Sequence, residues 1–320
     1  MTIRIGTRSS RLALWQAHRV REELEKIGES VEIVHVKTAG DRNRLDPIGR
    51  IGNQGAFTKE IQRALLDGKI DLAVHSLKDL PTDPVPGLIF AATLDREDVS
   101  DLFLSRNRIP LAELPKGSRI GTGSLRRKCQ LIYRLQGRSV QIDDIRGNVE
   151  TRLKKLNSGE YDAIVLAAAG LNRLGFHEQI AASEKLNPLS FFPAVGQGAL
   201  GLESREDDQI VRSLLAQINH NEVFTAIVAE REFLLELRGG CIAPIGAYCR
   251  IEDNRLLFDG RIISLDGLRQ FDVRSETELS GGAEERLRQA RNLGRNAAAS
   301  LAGSEAAEIL EEIRSLRKSS

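Results

Sequence analysis

The stretch Gly121-Thr122-Gly123-Ser124-Leu125-Arg126-Arg127 lies between an apolar, strand-like run and an amphipathic helix. Its glycines permit a sharp turn and a close approach of the backbone to a bound group. Ser124 is a suitable N-cap, and the free N–H groups of a helix start attract anions. This strand–turn–helix order predicts an α/β layer with a candidate anion site at its edge. The alternative is that Arg126 and Arg127 form only a solvated basic face of the helix.

A second loop of the same kind follows at Arg146-Gly147-Asn148, and it precedes a helix with Arg152 on its outward face. The planar fork of arginine binds a carboxylate or a phosphate in a bidentate manner, which lysine cannot do. Two arginine-bearing loops at helix starts therefore predict a site for a small ligand with several anionic groups.

Short apolar runs alternate with helical periodicity over the first two-thirds of the chain. Strands are predicted at 3–5, 31–36, 72–74, 119–122, 140–142 and 163–166. This alternation favours two α/β lobes with largely parallel strands. After about residue 219, hairpin-like runs with turns at 253–254 and 265–267 and a helix over 283–301 predict a smaller α+β domain.

Composition excludes several classes of protein. The net charge of the 320 residues is +1 and aromatic residues make up 4%, which argues against a nucleic-acid partner. The longest apolar run, 163–171, is too short to span a membrane, and the charged first residues do not resemble an export signal. Three widely spaced cysteines predict neither a disulfide scaffold nor a metal site. We therefore expect a cytoplasmic protein with reduced thiols.

A predicted buried strand ends in polar residues within the segment 73–81. The ends of strands in α/β sheets are where such proteins place ligand sites. The carboxylate of Asp79 next to Lys78 is favoured in its charged form and could stabilise a developing cation or accept an N–H donor. The alternative is that Asp79 only closes a turn before Pro81. His75 is assigned no chemistry.

The loop Gly239-Gly240-Cys241 is the second stretch with potential chemistry. Paired glycines let the backbone present the thiol in an unusual conformation, and Arg238 would favour the thiolate. Cys241 could be a nucleophile or an attachment point, and a buried inert cysteine is the alternative.

Taken together, these stretches resemble the hydroxymethylbilane synthase family, also called porphobilinogen deaminase. The resemblance rests on five motifs in order: Ala-Val-His-Ser-Leu-Lys-Asp (73–79), Gly-Thr-Gly-Ser-Leu-Arg-Arg (121–127), Arg-Gly-Asn-Val-Glu-Thr-Arg-Leu (146–153), Pro-Ala-Val-Gly-Gln-Gly-Ala (193–199) and Gly-Gly-Cys (239–241). It implies an enzyme of heme and tetrapyrrole biosynthesis that joins four porphobilinogen molecules head to tail into hydroxymethylbilane, with release of ammonia.

The resemblance also implies residue roles. A dipyrromethane cofactor would be attached to Cys241 by a thioether, and Asp79 would be the catalytic residue that balances positive charge after deamination. The residues implied to bind the cofactor are Ser76, Lys78, Thr122, Ser124, Arg126, Arg127 and Arg146. The residues implied to bind substrate are Arg8, Arg152 and Arg173. No metal is implied.

The family fold implies two lobes like those of periplasmic binding proteins, with the active cleft between them, and a smaller α+β third domain. We place domain 1 at 1–98 plus about 195–216, domain 2 at 99–194, and domain 3, which carries the cofactor cysteine, at 217–320. The expected partner is the small molecule porphobilinogen, without nucleic acid or membrane, and the expected state is a monomer.

Three positions depart from the family pattern. Gly123 stands where serine is common, Gln54 lies in a loop that often carries a lysine, and Arg238 stands where an acidic residue is frequent. A different class of function is a two-lobed, non-catalytic binding protein for an anionic metabolite. That alternative explains the lobes and the arginines but leaves Asp79, Cys241 and the third domain without a role.

Overall fold

The computed structural model describes residues 2–37, 58–240, 243–303 and 305–318. Cys241 and Gln54 lie outside these ranges. The strands of the described residues are β1 (Thr2–Thr7), β2 (Ser30–His35), β3 (Leu72–Ser76), β4 (Leu88–Ala92), β5 (Asp101–Ser105), β6 (Arg119–Gly121), β7 (Gln141–Asp143), β8 (Ala163–Ala167), β9 (Glu184–Leu186), β10 (Leu200–Arg205), β11 (Ile245–Glu252), β12 (Arg255–Ile263) and β13 (Gln270–Glu278).

Several of the described helices begin directly after a polar N-cap residue. The side chains of Ser10, Ser124, Asn148 and Asp208 each accept a hydrogen bond from a backbone N–H three residues later, which satisfies a donor that the helix itself leaves free. The helices are α1 (Arg11–Lys26), α2 (Lys59–Leu66), α3 (Leu125–Arg134), α4 (Val149–Asn157), α5 (Ala168–Leu174), α6 (His177–Ala181), α7 (Gln209–Ile218), α8 (Asn221–Leu237), α9 (Ala283–Ala302) and α10 (Ala306–Lys318).

The first lobe contains a five-stranded sheet in the order β2-β1-β3-β10-β4. β1 pairs in parallel with β2 and β3, whereas β10 pairs antiparallel with both β3 and β4. The buried side chains of Ile5, Leu72 and Leu202 pack with those of α1 and α7 to form its core. Because β10 follows the whole second lobe in the chain, the first sheet is completed by a returning segment.

The second lobe repeats this scheme with the sheet order β7-β6-β8-β5-β9. β6 pairs in parallel with β7 and β8, and β5 pairs antiparallel with β8 and β9. The strands were predicted to be largely parallel, and the structure corrects this: both sheets are mixed. The antiparallel pairs arise where the chain leaves one lobe or returns to the other.

Two segments of the chain connect the lobes, one at Glu97 and one at Gly198, and they run side by side. The Glu97 N–H donates to the carbonyl of Gly198 at 3.0 Å. Gly198 has a φ of +86°, and a Cβ at this position would lie 2.3 Å from the Glu97 carbonyl oxygen. The close approach of the two connecting segments therefore requires glycine at this position.

The third unit is an antiparallel sheet, β11-β12-β13, covered by α8 and α9. Its core includes Phe233 and Phe258, whose ring centroids are 5.0 Å apart. The turn at Asp253 and Asn254 has positive φ values at both residues, as a tight hairpin requires. α10, which buries Ile309 and Leu310, was not foreseen from the sequence.

The predicted fold class, two α/β lobes followed by a smaller α+β unit, is confirmed by these sheets. The domain limits at 98/99, 194/195 and 216/217 stay a prediction. Among the described residues, no helix combines the length and the apolar character that crossing a bilayer requires.

Candidate active site

A single 3₁₀ turn, Leu77–Asp79, directly follows β3 and is called here the Asp79 turn. The Ser76 hydroxyl accepts a hydrogen bond of 2.7 Å from the buried Gln16 side chain on α1. The Leu77 N–H donates to the Ala199 carbonyl at 3.1 Å, just before β10 begins. Leu77 is buried, whereas Asp79 is exposed. The hydrogen bonds from α1 and to the segment before β10 thus hold the turn in place. The Asp79 carboxylate remains accessible to a ligand.

Cations surround this carboxylate. Burial, reinforced by repulsion from Arg127, lowers the pKa of the half-buried Lys78 to about 8, while Asp79 opposes that shift. Burial also lowers the pKa of Arg152 to about 10, again with repulsion from Arg127 and with opposition from Asp79. Asp79, Lys78, Arg127 and Arg152 are therefore within electrostatic reach of one another, and the cations outnumber the carboxylate.

Arg126 and Arg127, each 5% exposed, lie on the first turn of α3 and share one buried carboxylate. Arg126 Nη2 donates to Asp101 Oδ2 at 2.9 Å, and Arg127 Nη2 donates to Asp101 Oδ1 at 2.7 Å. Their remaining Nη1 groups donate to the backbone carbonyls of Phe192 and Val165. The alternative that Arg126 and Arg127 form only a solvated basic face of the helix is therefore wrong.

Asp101 is the acidic centre of this arrangement, and the sequence analysis missed it. It is fully buried, and Gln197 Nε2 donates to its Oδ1 at 2.9 Å. Burial alone would raise the pKa of Asp101, but Arg126 and Arg127 outweigh that effect and hold the pKa well below its ordinary value. The available signal was an acidic residue at the start of an apolar strand, which an ion-paired core position can explain.

Thr122 and Ser124 shape the loop before α3. Thr122 Oγ1 accepts a hydrogen bond from the Ser124 N–H at 3.2 Å, and Ser124 Oγ caps the helix by accepting from the Arg127 N–H at 3.4 Å. A Cβ at Gly123 would lie 3.0 Å from the Ile145 carbonyl oxygen. This tight contact gives a physical reason for glycine at position 123.

The second arginine loop lies closer to solvent. Arg146 is exposed, and its Nη2 is 3.9 Å from Asp144 Oδ2. Arg152 Nε donates to the Gly147 carbonyl at 2.9 Å. Arg146 is thus more available to an incoming ligand than the two arginines on α3.

Two further residues with a predicted role in the site are Arg173 and Arg8. Arg173 Nη2 donates to the Gly198 carbonyl at 2.6 Å, its guanidinium lies 5.5 Å from the centre of the Trp15 ring, and burial lowers its pKa to about 10. Arg8 directly follows β1 and is partly buried. Since Trp15 belongs to α1 and Arg173 to α5, this contact also joins the two lobes.

The described site therefore brings together Asp79, Lys78, Arg127 and Arg152 by charge, with Ser76, Thr122, Ser124 and Arg126 in the same framework. Arg173 contacts the segment that connects the lobes. The predicted roles of all these residues stay predictions, and Cys241 lies outside the described part of the chain. Among the described residues, no group of His, Cys, Asp and Glu could hold a metal ion.

We predict that Arg126→Leu lowers the free energy of unfolding by about 3–5 kcal/mol, because it leaves a buried carboxylate with one partner fewer. Urea denaturation followed by circular dichroism measures this. The matched control is Arg106→Leu, which removes a half-exposed arginine 4.0 Å from Asp162 in the same lobe and should cost less than about 1 kcal/mol. Equal stability of the two variants would contradict the prediction.

Comparison with known proteins gives a consistent result. Residues 3–213 match the family model described as "Porphobilinogen deaminase, dipyromethane cofactor binding domain", and residues 224–303 match "Porphobilinogen deaminase, C-terminal domain". The porphobilinogen deaminase of Syntrophomonas wolfei is 45% identical over 314 residues, covering 98% of this chain and 99% of the relative. That of Gloeobacter violaceus is 46% identical over 318 residues, covering 98% and 94%.

Among solved structures, the GluR0 ligand binding core in complex with L-glutamate aligns with a TM-score of 0.40 and 10% identity, covering 72% of this chain and 97% of that one.

Proposed function

The chain belongs to the porphobilinogen deaminase family, and on that basis we propose which of its residues carry the reaction. The enzyme joins porphobilinogen molecules into hydroxymethylbilane, with release of ammonia, in tetrapyrrole biosynthesis. The observation that carries the residue assignment is the exposed carboxylate of Asp79 among the charges of Lys78, Arg127 and Arg152. We assign the catalytic role to Asp79 and the binding of substrate carboxylates to the cations around it.

Each porphobilinogen carries an acetate and a propionate group, so the growing chain gains two negative charges with every unit. Forked guanidiniums suit such carboxylates because they bind in a bidentate manner. Arg146, on the more open loop, and Arg152, on α4, are proposed to meet carboxylates directly. Arg8 and Arg173 are proposed to bind those of the incoming substrate.

Asp79 is proposed to stabilise the positive charge that develops when ammonia leaves and to accept a hydrogen bond from a pyrrole N–H. A fixed carboxylate at this point acts without the reorganisation that water would need. Gln16, through Ser76, and the Ala199 carbonyl, through the Leu77 N–H, hold the turn in place for this role.

The residues present fit a dipyrromethane cofactor. The Nε atoms of Arg126, Arg127 and Arg173 are buried and have no hydrogen-bond partner among the described residues. Together with the lowered pKa of Lys78, these atoms indicate a site that anionic groups would stabilise. When bound, dipyrromethane supplies the pyrrole carbon to which the first substrate unit is joined. Lys78, Arg126, Arg127 and Arg146 would hold its carboxylates, with Ser76, Thr122 and Ser124 as hydrogen-bonding groups.

Cys241 is proposed as the attachment point of this cofactor. Support comes from the other cysteines, because both are buried free thiols. Burial raises the pKa of Cys129 to about 12 and raises that of Cys249 well above its ordinary value. Since the thiolate is the nucleophilic form, neither is suited to form the thioether.

We expect the purified protein to consume porphobilinogen and to release one ammonia for each molecule consumed. Absorbance of the product and an ammonia assay measure the two quantities. Stoichiometric binding of porphobilinogen without ammonia release would instead identify a non-catalytic binding protein. The monomeric state, the cytoplasmic location and the absence of a nucleic-acid partner belong to the proposal, and the net charge of +1 supports the last of these.

A further inference from the structure

We propose that Arg231 is a positioning residue. It holds the Asp79 turn in a fixed position relative to α8, the helix that precedes Cys241 in the chain. This inference rests on the proposed catalytic role of Asp79. Arg231 lies on α8, far from Asp79 in the chain, and nothing in the sequence motifs drew attention to it.

The guanidinium of Arg231 donates hydrogen bonds to the backbone that immediately follows the Asp79 turn. Arg231 Nη1 donates to the Leu80 carbonyl at 3.1 Å, and Nη2 donates to the Pro81 carbonyl at 2.8 Å. The two carbonyls are successive, so the planar fork fixes both the position and the direction of the chain leaving the turn. Leu80 is itself buried, and its N–H donates to the Leu77 carbonyl at 3.0 Å. A shift of these carbonyls would therefore be passed directly to Asp79.

The surroundings of Arg231 hold the charge in place. Its guanidinium lies 5.4 Å from the centre of the Phe90 ring, and that ring stacks on Phe224 of α8 with centroids 4.9 Å apart. Burial lowers the pKa of Arg231 to about 10, with Glu203 opposing the shift, so the group is charged at neutral pH. Among the described residues, no carboxylate lies within ion-pair distance of it. A partly buried cation is costly, and here the two backbone carbonyls and the aromatic face offset that cost.

The helix α8 is itself held in place by hydrogen bonds to other segments. Glu230, the neighbour of Arg231 on α8, is fully buried and accepts hydrogen bonds from Arg96 Nη1 at 2.7 Å, the Gly196 N–H at 2.8 Å and the Cys249 N–H at 2.8 Å. α8 is thereby tied to both segments that connect the lobes and to β11. Its last residue, Leu237, lies six residues after Arg231, about 9 Å along the helix axis. Cys241 follows a few residues later.

Arg231 thus joins the backbone that follows the Asp79 turn on the first lobe to α8 of the third unit. A displacement of about 1 Å between reacting groups can reduce a rate by about 100-fold. Loss of the fork should therefore reduce turnover without removing any group that contacts the substrate.

The test compares Arg231→Met, Arg231→Lys and Arg205→Met. Arg205 is the matched control, because its Nη1 also donates to two backbone carbonyls, those of Leu65 at 3.0 Å and Ile70 at 2.7 Å, but away from the Asp79 turn. We expect Arg231→Met to keep its cofactor, as seen by intact mass, while kcat falls by about 100-fold and KM changes less than about 3-fold. Arg231→Lys, which cannot form the fork, should lose about 10-fold in kcat, and Arg205→Met should lose stability with little change in kcat.

A double variant separates positioning from mere stability. If Arg231 acts through Asp79, combining Arg231→Met with Asp79→Glu should cost much less than the product of the two single losses. Multiplicative losses, or unchanged kcat in a folded Arg231→Met protein, would overturn the inference. If Arg231→Met fails to fold, wild-type kcat in Arg231→Lys overturns it. Full activity of Asp79→Ala, measured in parallel, would overturn the proposed role of Asp79 and this inference with it.

Discussion

Replacing Asp79 by alanine is expected to leave a folded protein that has lost nearly all turnover of porphobilinogen. Asp79 is exposed, so its removal disturbs no core contact. Its negative charge opposes the lowering of the pKa of both Lys78 and Arg152, and we propose that it faces the developing positive charge of the substrate. Loss of one fixed group of this kind typically costs about 100- to 1,000-fold in kcat. Asp79→Glu should keep a trace of activity, because it retains the charge but misplaces it.

The measurement is consumption of porphobilinogen by protein whose circular dichroism spectrum and thermal midpoint match those of the wild type. Asp83→Ala is the matched control, since it removes another exposed carboxylate from the same segment. We expect that control to retain wild-type turnover. An Asp79→Ala protein with near-normal activity would remove Asp79 from its proposed role.

The second large effect concerns Cys241. The purified protein should be heavier than its 320-residue chain by two deaminated porphobilinogen units, and the adduct should map to the peptide that contains Cys241. Cys241→Ala should abolish both the extra mass and the activity, because burial disfavours the thiolate at Cys129 and at Cys249. Intact-protein mass spectrometry and acidic Ehrlich's reagent follow the adduct, and the porphobilinogen assay follows the activity.

Cys129→Ala and Cys249→Ala are the controls for this experiment. Cys129 lies on the buried face of α3, with its Sγ 3.6 Å from the Leu265 carbonyl oxygen, and Cys249 lies in the core of the third unit. Both variants should keep the adduct, at some cost in stability. Unmodified mass in an active preparation, or an adduct that disappears with Cys249→Ala, would contradict attachment at Cys241.

Local patterns were sufficient to predict much of this molecule. The cap at Ser124, the helix after it and the Asp79 turn at the end of a buried strand all follow from residues close together in the chain. The helix predicted over 283–301 corresponds to α9, Ala283–Ala302. The two arginine-bearing loops were expected to form a site for a ligand with several anionic groups because both lie at helix starts.

What sequence reasoning missed depends on contacts between distant residues. Asp101 pairs with Arg126 and Arg127, and Arg231 contacts the carbonyls of Leu80 and Pro81 across the boundary between units. No local periodicity distinguishes such a buried charge from a solvated one. The mixed pairing of the sheets was missed for the same reason, because the direction of β10 is fixed by the path of the chain through the second lobe.

The position of β10 between β3 and β4 also determines the order in which this protein can assemble during translation. Every strand of the second sheet lies within 101–186, so that lobe can close as soon as its own residues have left the ribosome. The first lobe cannot, because β4 pairs with β10, which is the last strand of that sheet to be made. Until then β3 and β4 expose unpaired strand edges, which are templates for aggregation. The nascent chain is therefore most in need of chaperone protection while the N-terminal lobe waits for residues 200–205.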